Sequence, residues 1–316
     1  MRSEIRAYNS RGAMCDTKRS RFTDRRILLP ELILKMNKDE YISDMHVRKF
    51  VTWMSANLET NAFAHTYWIK QRRKFWSCSS LYDALEKYEW KFHEIARLSI
   101  PSGSSFKENT YALSKIKNLL ALSLKNGDDF LALHAATAVM SWGGVPGGNA
   151  NWLVRNQTGL ADFLRGMQGV LNKFDTGQRL LDSNVRFNAG MTKIYSLICN
   201  NFVIYDSRVA ATLGWGVVKY CKQNCLEEVP EELRFPHPPF RGNHKRDASV
   251  SKLKFPRLHS SLQYLQWNLK ASWLLESVLK HENAKSSEFV KYENNALRAL
   301  EAALFMIGYD LCRVKN

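Results

Sequence analysis

The chain has 316 residues, 45% of them hydrophobic, enough to bury a sizeable core in one large domain or two small ones. Lys and Arg outnumber Asp and Glu by 46 to 30, a formal net charge of +16; such a surplus favours a polyanionic partner through counterion release on DNA or RNA, though acidic membranes or acidic proteins are served by it too. No apolar run reaches the length needed to span a bilayer, and the first 26 residues lack the hydrophobic core of a secretory signal.

Residues 1–26, MRSEIRAYNSRGAMCDTKRSRFTDRR, read as a flexible basic arm. Their arginine content also suits a transit peptide, against which Glu4, Asp16 and Asp24 count. A short amphipathic helix is predicted over Leu28–Met36. Apolar residues at threes and fours predict longer helices over Tyr41–Leu58, Leu81–Leu98 and Tyr111–Leu124. Asp129–Trp142 is another, stopped by Gly143-Gly144-Val145-Pro146-Gly147-Gly148. No Gly-Lys-Ser/Thr follows that turn, so it is not a nucleotide-triphosphate loop. Leu153–Asn172 continues the helical pattern. Val203-Ile204-Tyr205 is short and β-prone and reads as the extended lead-in to a helix. Pro230–Pro256 is the clearest break, because the prolines at 236, 238 and 239 forbid a helix. Arg241, His244, Lys245 and Arg246 cluster in its middle, which makes it either a DNA-contacting loop or a solvated surface loop. No run of alternating strands and no solenoid-length repeat stands out. The six cysteines read as reduced thiols of a cytosolic protein. Cys221 and Cys225, with His237 and His244, match no standard zinc spacing.

The chemistry concentrates in Arg186–Leu213, RFNAGMTKIYSLICNNFVIYDSRVAATL. Lys193 follows a small turn, Asn188-Ala189-Gly190, and Asp206 opens the helix predicted over Ser207–Leu213. An amine and a carboxylate thus stand at two adjacent helix starts, a pair suited to breaking the bond between a base and its sugar. Asp206 reads equally as a helix N-cap, and a lone Lys–Asp pair at this spacing as a surface ion pair.

Three features together resemble the helix-hairpin-helix DNA glycosylases, closest to the bacterial 8-oxoguanine DNA glycosylase-like proteins. They are the turn with its lysine, Gly190-Met191-Thr192-Lys193; the aspartate-led segment Ile204-Tyr205-Asp206-Ser207-Arg208-Val209; and the late helical patterns Trp267–Trp273 and Arg298–Gly308. The resemblance covers roughly the last 130 residues, near the size of one domain. The family's hairpin carries two glycines flanking one residue before the lysine. Aligned on Lys193, those places hold Ala189 and Met191, with Gly190 between them, so the hairpin is degenerate. The four-cysteine run of the endonuclease III branch is absent, and neither an iron–sulfur cluster nor another metal or cofactor is expected.

The resemblance implies a mainly α, two-lobed helix-hairpin-helix glycosylase-like fold, with room for a small sheet and with DNA in the cleft. The expected partner is double-stranded DNA containing a modified base, and the expected state is a monomeric cytoplasmic protein, nucleoid-associated through its DNA. The target nucleotide is rotated out of the stack. Asp206 then stabilises positive charge on the sugar or deprotonates the nucleophile. Lys193 attacks the anomeric carbon and leaves a Schiff base, or an Asp206-activated water takes its place. Asn188, Gly190 and Thr192 are expected on a DNA phosphate, joined by Arg186, Arg208, Arg241, Lys245 and Arg246. Trp142, Asn149 and Phe305 are expected in the base pocket, although most aromatic rings are core.

The implied divisions are residues 1–26 as the arm, 27–125 as an N-terminal helical lobe and 126–228 as the lobe with the degenerate hairpin and Asp206. Residues 229–258 form the basic Pro-rich loop and 259–316 the C-terminal helices. The biological role divides between repair of a damaged base and defence against phage with modified DNA. A non-catalytic DNA- or RNA-binding module, and a small-molecule or protein-interaction role, stand as alternatives.

Overall fold

A computed structural model describes residues 37–145, 147–173, 186–239 and 244–312. The basic arm, the predicted helix over Leu28–Met36, and Arg241 lie outside the described residues. Among those described, eleven α-helices surround one core, with a two-stranded antiparallel sheet in the N-terminal half. They all fall in one compact unit. None of the described helices is long and apolar enough to cross a membrane.

The helix predicted over Tyr41–Leu58 divides in two and begins earlier, at Lys38. α1 (Lys38–Ser43) stops before α2 (Met45–Ser55) because the Asp44 carboxylate caps α2 through the N–H groups of His46 and Val47. β1 (His65–Ile69) and β2 (Lys74–Cys78) then form a hairpin pairing His65 with Cys78 and Ile69 with Lys74. The helix expected over Leu81–Leu98 is shorter: α3 covers Leu81–Glu86 only. Beyond it the backbone turns to bond with residues ahead, Trp90 N–H to Ser104 O and Phe92 with Gly103 in both directions. That detour carries Tyr88 and Trp90 to the site described below.

α4 (Phe106–Asn126) opens on a capping box, Ser105 with Glu108, and packs along α5 (Asp129–Trp142). The pattern expected over Leu153–Asn172 is likewise two helices, α6 (Gly147–Arg155) and α7 (Leu160–Lys173). Gly159 sits at φ +80°, and the Asp129 carboxylate accepts from the N–H groups of Gly159 and Ala161, so a new helix start is fixed there. α8 (Met191–Ile198) and α9 (Ser207–Gln223) follow. The Pro-rich stretch has no α-helix among its described residues, but it is not merely a solvated loop: Leu233, Phe235, Leu253 and Phe255 are buried.

α10 (Ser261–Lys280) and α11 (Ala296–Ile307) complete the fold. α11 is buried along most of its length against α3, α9 and α10. Its approach to α9 requires a glycine at 308, where a Cβ would stand 1.9 Å from the Arg208 carbonyl oxygen. The Thr212 hydroxyl donates to Leu304 O at 2.7 Å across the same contact.

Candidate active site

The segment 203–205 decides where Asp206 sits. Among the described residues it pairs with no strand, so its buried backbone groups need other partners. Side chains from three helices supply them. Ser272 Oγ accepts from Val203 N–H at 3.1 Å, and Asn268 Nδ2 donates to Val203 O at 2.9 Å. A Glu301 oxygen accepts from Ile204 N–H at 2.8 Å. Thr192 Oγ1 accepts from Tyr205 N–H at 3.3 Å, and the Tyr264 hydroxyl donates to Tyr205 O. The lead-in to α9 is thereby clamped by α8, α10 and α11.

Asp206 then divides its carboxylate between two tasks. One oxygen caps α9, accepting from the N–H groups of Arg208 at 2.9 Å and Val209 at 3.1 Å. The other stands 3.8 Å from Lys193 Nζ. That separation exceeds hydrogen-bond reach, so the amine is near the carboxylate without being locked to it. Lys193 is only 7% exposed. Its pKa is lowered, first by burial and then by Arg298 and Arg208, against Asp206 and Glu301, which raise it. The lysine stem lies on Gly143 at the end of α5, where a Cβ would meet Cδ at 2.6 Å.

Lys193 and Asp206 line a cavity of ≈ 240 Å³. Tyr88, Trp90, Trp142 and Phe305 supply aromatic walls, and Gly143 and Gly144 bring backbone to the edge. An apolar cavity of roughly 150 Å³ holds benzene, so this space has room for a small planar ring system rather than a length of polymer. Trp142 is largely buried, with its indole N–H donated to Asn109 Oδ1 at 2.8 Å, and so serves core and cavity together. Phe305 carries the Arg208 guanidinium 4.2 Å from its ring centre. Trp90 and Tyr309 also face that guanidinium, at 5.6 and 4.9 Å.

Arg246 reaches the cavity from the Pro-rich stretch and donates to Ser207 Oγ at 2.6 Å. Glu301 and Arg298, an ion pair on α11, form another wall, and the Arg298 guanidinium stands 5.4 Å from the Trp142 ring centre. Burial raises the Glu301 pKa. The walls therefore hold four basic side chains, Lys193, Arg208, Arg246 and Arg298, against two carboxyls.

Several expected site residues lie elsewhere. Asn149 is not in the cavity. It pairs with Asn188 through two 3.0 Å hydrogen bonds and accepts from Arg186 at 3.1 Å, because the turn needs that lock to hold its shape. The Asn188 side chain also accepts from the N–H groups of Gly190 and Met191, at 2.9 and 3.1 Å. The N–H groups of Gly190, Met191 and Thr192 are thus satisfied internally, and Gly190 is itself buried against Asn149. Thr192 is fully buried and clamps the 203–205 segment instead of facing DNA. Arg186 lies over the Trp152 ring at 4.9 Å. Arg208 stands in the cavity wall, and Lys245 is exposed on a separate groove beside Trp215 and Lys219.

Tyr88, Trp90, Arg298 and Glu301 were not anticipated from the sequence. The only local signal was the i, i+3 pairing of Arg298 with Glu301, which ordinarily marks a solvated helix face. Comparison of the chain with protein-family models, with curated proteins and with solved structures returns no match in any of the three.

Proposed function

We propose that the protein is a DNA N-glycosylase that draws a modified or damaged base into the aromatic cavity and cleaves its bond to the sugar. The observation that carries this reading is the buried Lys193 amine 3.8 Å from a carboxylate whose second oxygen is fixed at the start of α9, both in the wall of a base-sized cavity. A neutral amine is a nucleophile, and burial favours the neutral form. Lys193 Nζ forms a bond to C1′ of the sugar as the C1′–N bond breaks. The base leaves with the electron pair and takes up a proton. Asp206 stabilises the positive charge that builds on the sugar. Bonding to C1′ leaves the nitrogen an ammonium, whose proton passes to the departing base. The freed lone pair then expels the ring oxygen, which takes up a proton from solvent, giving a protonated Schiff base, from which loss of a C2′ proton and the 3′ phosphate nicks the strand. An Asp206-activated water is the competing nucleophile, and it leaves an abasic site without a nick.

The test uses purified protein and end-labelled DNAs carrying oxidised, alkylated or bulky sugar-modified bases. Each reaction is divided between hot alkali and borohydride. A borohydride-trapped adduct that is lost in Lys193→Ala supports the lysine route. Cleavage seen only after alkali, and abolished by Asp206→Asn, supports the water route. Base release from none of the substrates, with DNA binding intact in Asp206→Asn, leaves a non-catalytic DNA-binding protein. The substrate that responds also separates repair of oxidised bases from attack on heavily modified phage DNA.

A further inference from the structure

The turn before Lys193 spends the N–H groups of Gly190, Met191 and Thr192 internally, which weakens it as a grip on nucleic acid and turns attention to other surfaces. The β1–β2 hairpin has the composition of one. Its inner face is fixed: Tyr67 stacks on Trp76 at 4.8 Å and on Tyr309 at 5.0 Å, and the Tyr67 hydroxyl donates to Met306 O. Its outer face carries Trp68 and Phe75, which are cross-strand partners with ring centres 4.7 Å apart. They are 41% and 56% exposed. Two large rings left in water together are costly unless something covers them.

The tip joining the strands reads Lys70-Gln71-Arg72-Arg73-Lys74, and every residue of it is exposed. Of its four cations, Arg72 has a carboxylate, Glu89, within ion-pair distance among the described residues. Exposed rings framed by cations are the combination that binds single-stranded nucleic acid: bases stack on the rings and phosphates meet the charges. An acidic peptide would answer the charge but would leave the two rings without flat partners. Position agrees with a nucleic acid. A groove of ≈ 320 Å³ runs along the inner edge of the hairpin and shares Trp90 and Arg208 with the base-sized cavity.

We propose that the 65–78 hairpin is a strand-holding arm for DNA, with Trp68 and Phe75 stacking on an unpaired base and Lys70, Arg72, Arg73 and Lys74 neutralising the phosphates beside it. The arm shares with the proposed function only DNA as the partner; base excision is not required for it.

The test measures binding of full-length protein to a short fluorescein-labelled single-stranded DNA, across a salt series, by anisotropy. Trp68→Ala with Phe75→Ala is expected to weaken binding by about 10–100-fold at fixed salt, with the salt slope unchanged. Lys70→Gln with Arg73→Gln and Lys74→Gln is expected to flatten the slope of log K against log salt by about 2. Trp68→Phe keeps a flat ring and is expected to retain most of the affinity, which a loss of fold would not allow. Parental affinity and slope in both multiple variants overturn the inference, as does an absence of binding by the parental protein. Excision assays on the same proteins separate the two ideas. Base release with hairpin variants that bind normally removes the arm alone. Strand binding lost in those variants, in a protein that releases no base, keeps the arm and removes the glycosylase.

Discussion

Asp206 holds a helix start and faces the amine at the same time, and substitution separates the two tasks. Asparagine caps a helix about as well as aspartate but carries no charge. Asp206→Asn is therefore expected to melt near the parental temperature while losing about 10²–10⁴-fold in base release. Asp206→Ala removes the cap as well, at about 1 kcal/mol of stability. Equal melting temperatures for the two variants would contradict the capping role. At Lys193 the lowered pKa comes first from burial, opposed by Asp206 and Glu301. Only the neutral amine attacks, so trapping is expected to rise with pH through a midpoint below the roughly 10.4 of a free lysine. Glu301→Gln removes a charge that raises this pKa, so the midpoint is expected to move lower still. A midpoint at the free-lysine value would show an amine open to water. Gly143 sets where the amine points. Gly143→Ala puts a methyl group 2.6 Å from Lys193 Cδ, and a displaced nucleophile is expected to trap about 10²-fold more slowly in a folded protein. An unaffected trapping rate would mean that the stem has room to move.

At the scale of elements, the site depends on a strand-like segment that has no sheet. Residues 203–205 are held by side chains of α8, α10 and α11, with Glu301 receiving Ile204 N–H while paired to Arg298. Glu301→Ala strands that N–H and leaves Arg298 unpartnered, at about 2 kcal/mol in urea unfolding; Glu301→Gln keeps an acceptor and is expected to cost less. Equal losses would mean that the backbone bond does not matter. The short-range part of this arrangement was legible in the sequence. An apolar run ending in Asp-Ser predicts an extended lead-in and a capped helix, and the α5 boundaries follow from its periodicity and the glycines after it. The clamp was not legible, because Asn268, Ser272 and Glu301 read as ordinary polar positions until the helices meet. A small sheet was allowed for, but the position of the β1–β2 hairpin was not legible, for a different reason. Its turn has no glycine or asparagine, and Arg73 takes the left-handed position at φ 48° instead. Leu81–Leu98 read as one helix because Trp90 and Phe92 keep helical spacing, while their N–H groups bond forward to residues 104 and 103.

Across the whole molecule, the net charge of +16 points to a polyanion without locating it. The structure gathers part of that charge into two neighbouring places, the walls of the cavity and the tip of the 65–78 hairpin. The cavity draws on α5, α8, α9, α11, the loop after α3 and the Pro-rich stretch. Local patterns in the sequence identified Lys193, Asp206, Trp142 and Phe305 as candidates for it, whereas Asn149, Asn188 and Thr192 proved to be structural partners. What separates the two groups is which way each side chain faces once remote helices pack, and no local pattern records that. The central claim is that a buried lysine beside a capping carboxylate attacks the sugar of a base drawn into this cavity. Its most direct test is borohydride trapping on DNAs with modified bases, comparing the parental protein with Lys193→Ala and Lys193→Arg. A covalent protein–DNA adduct formed by the parental chain alone is the expected result. No adduct on any substrate, or an adduct that persists in both variants, would contradict it.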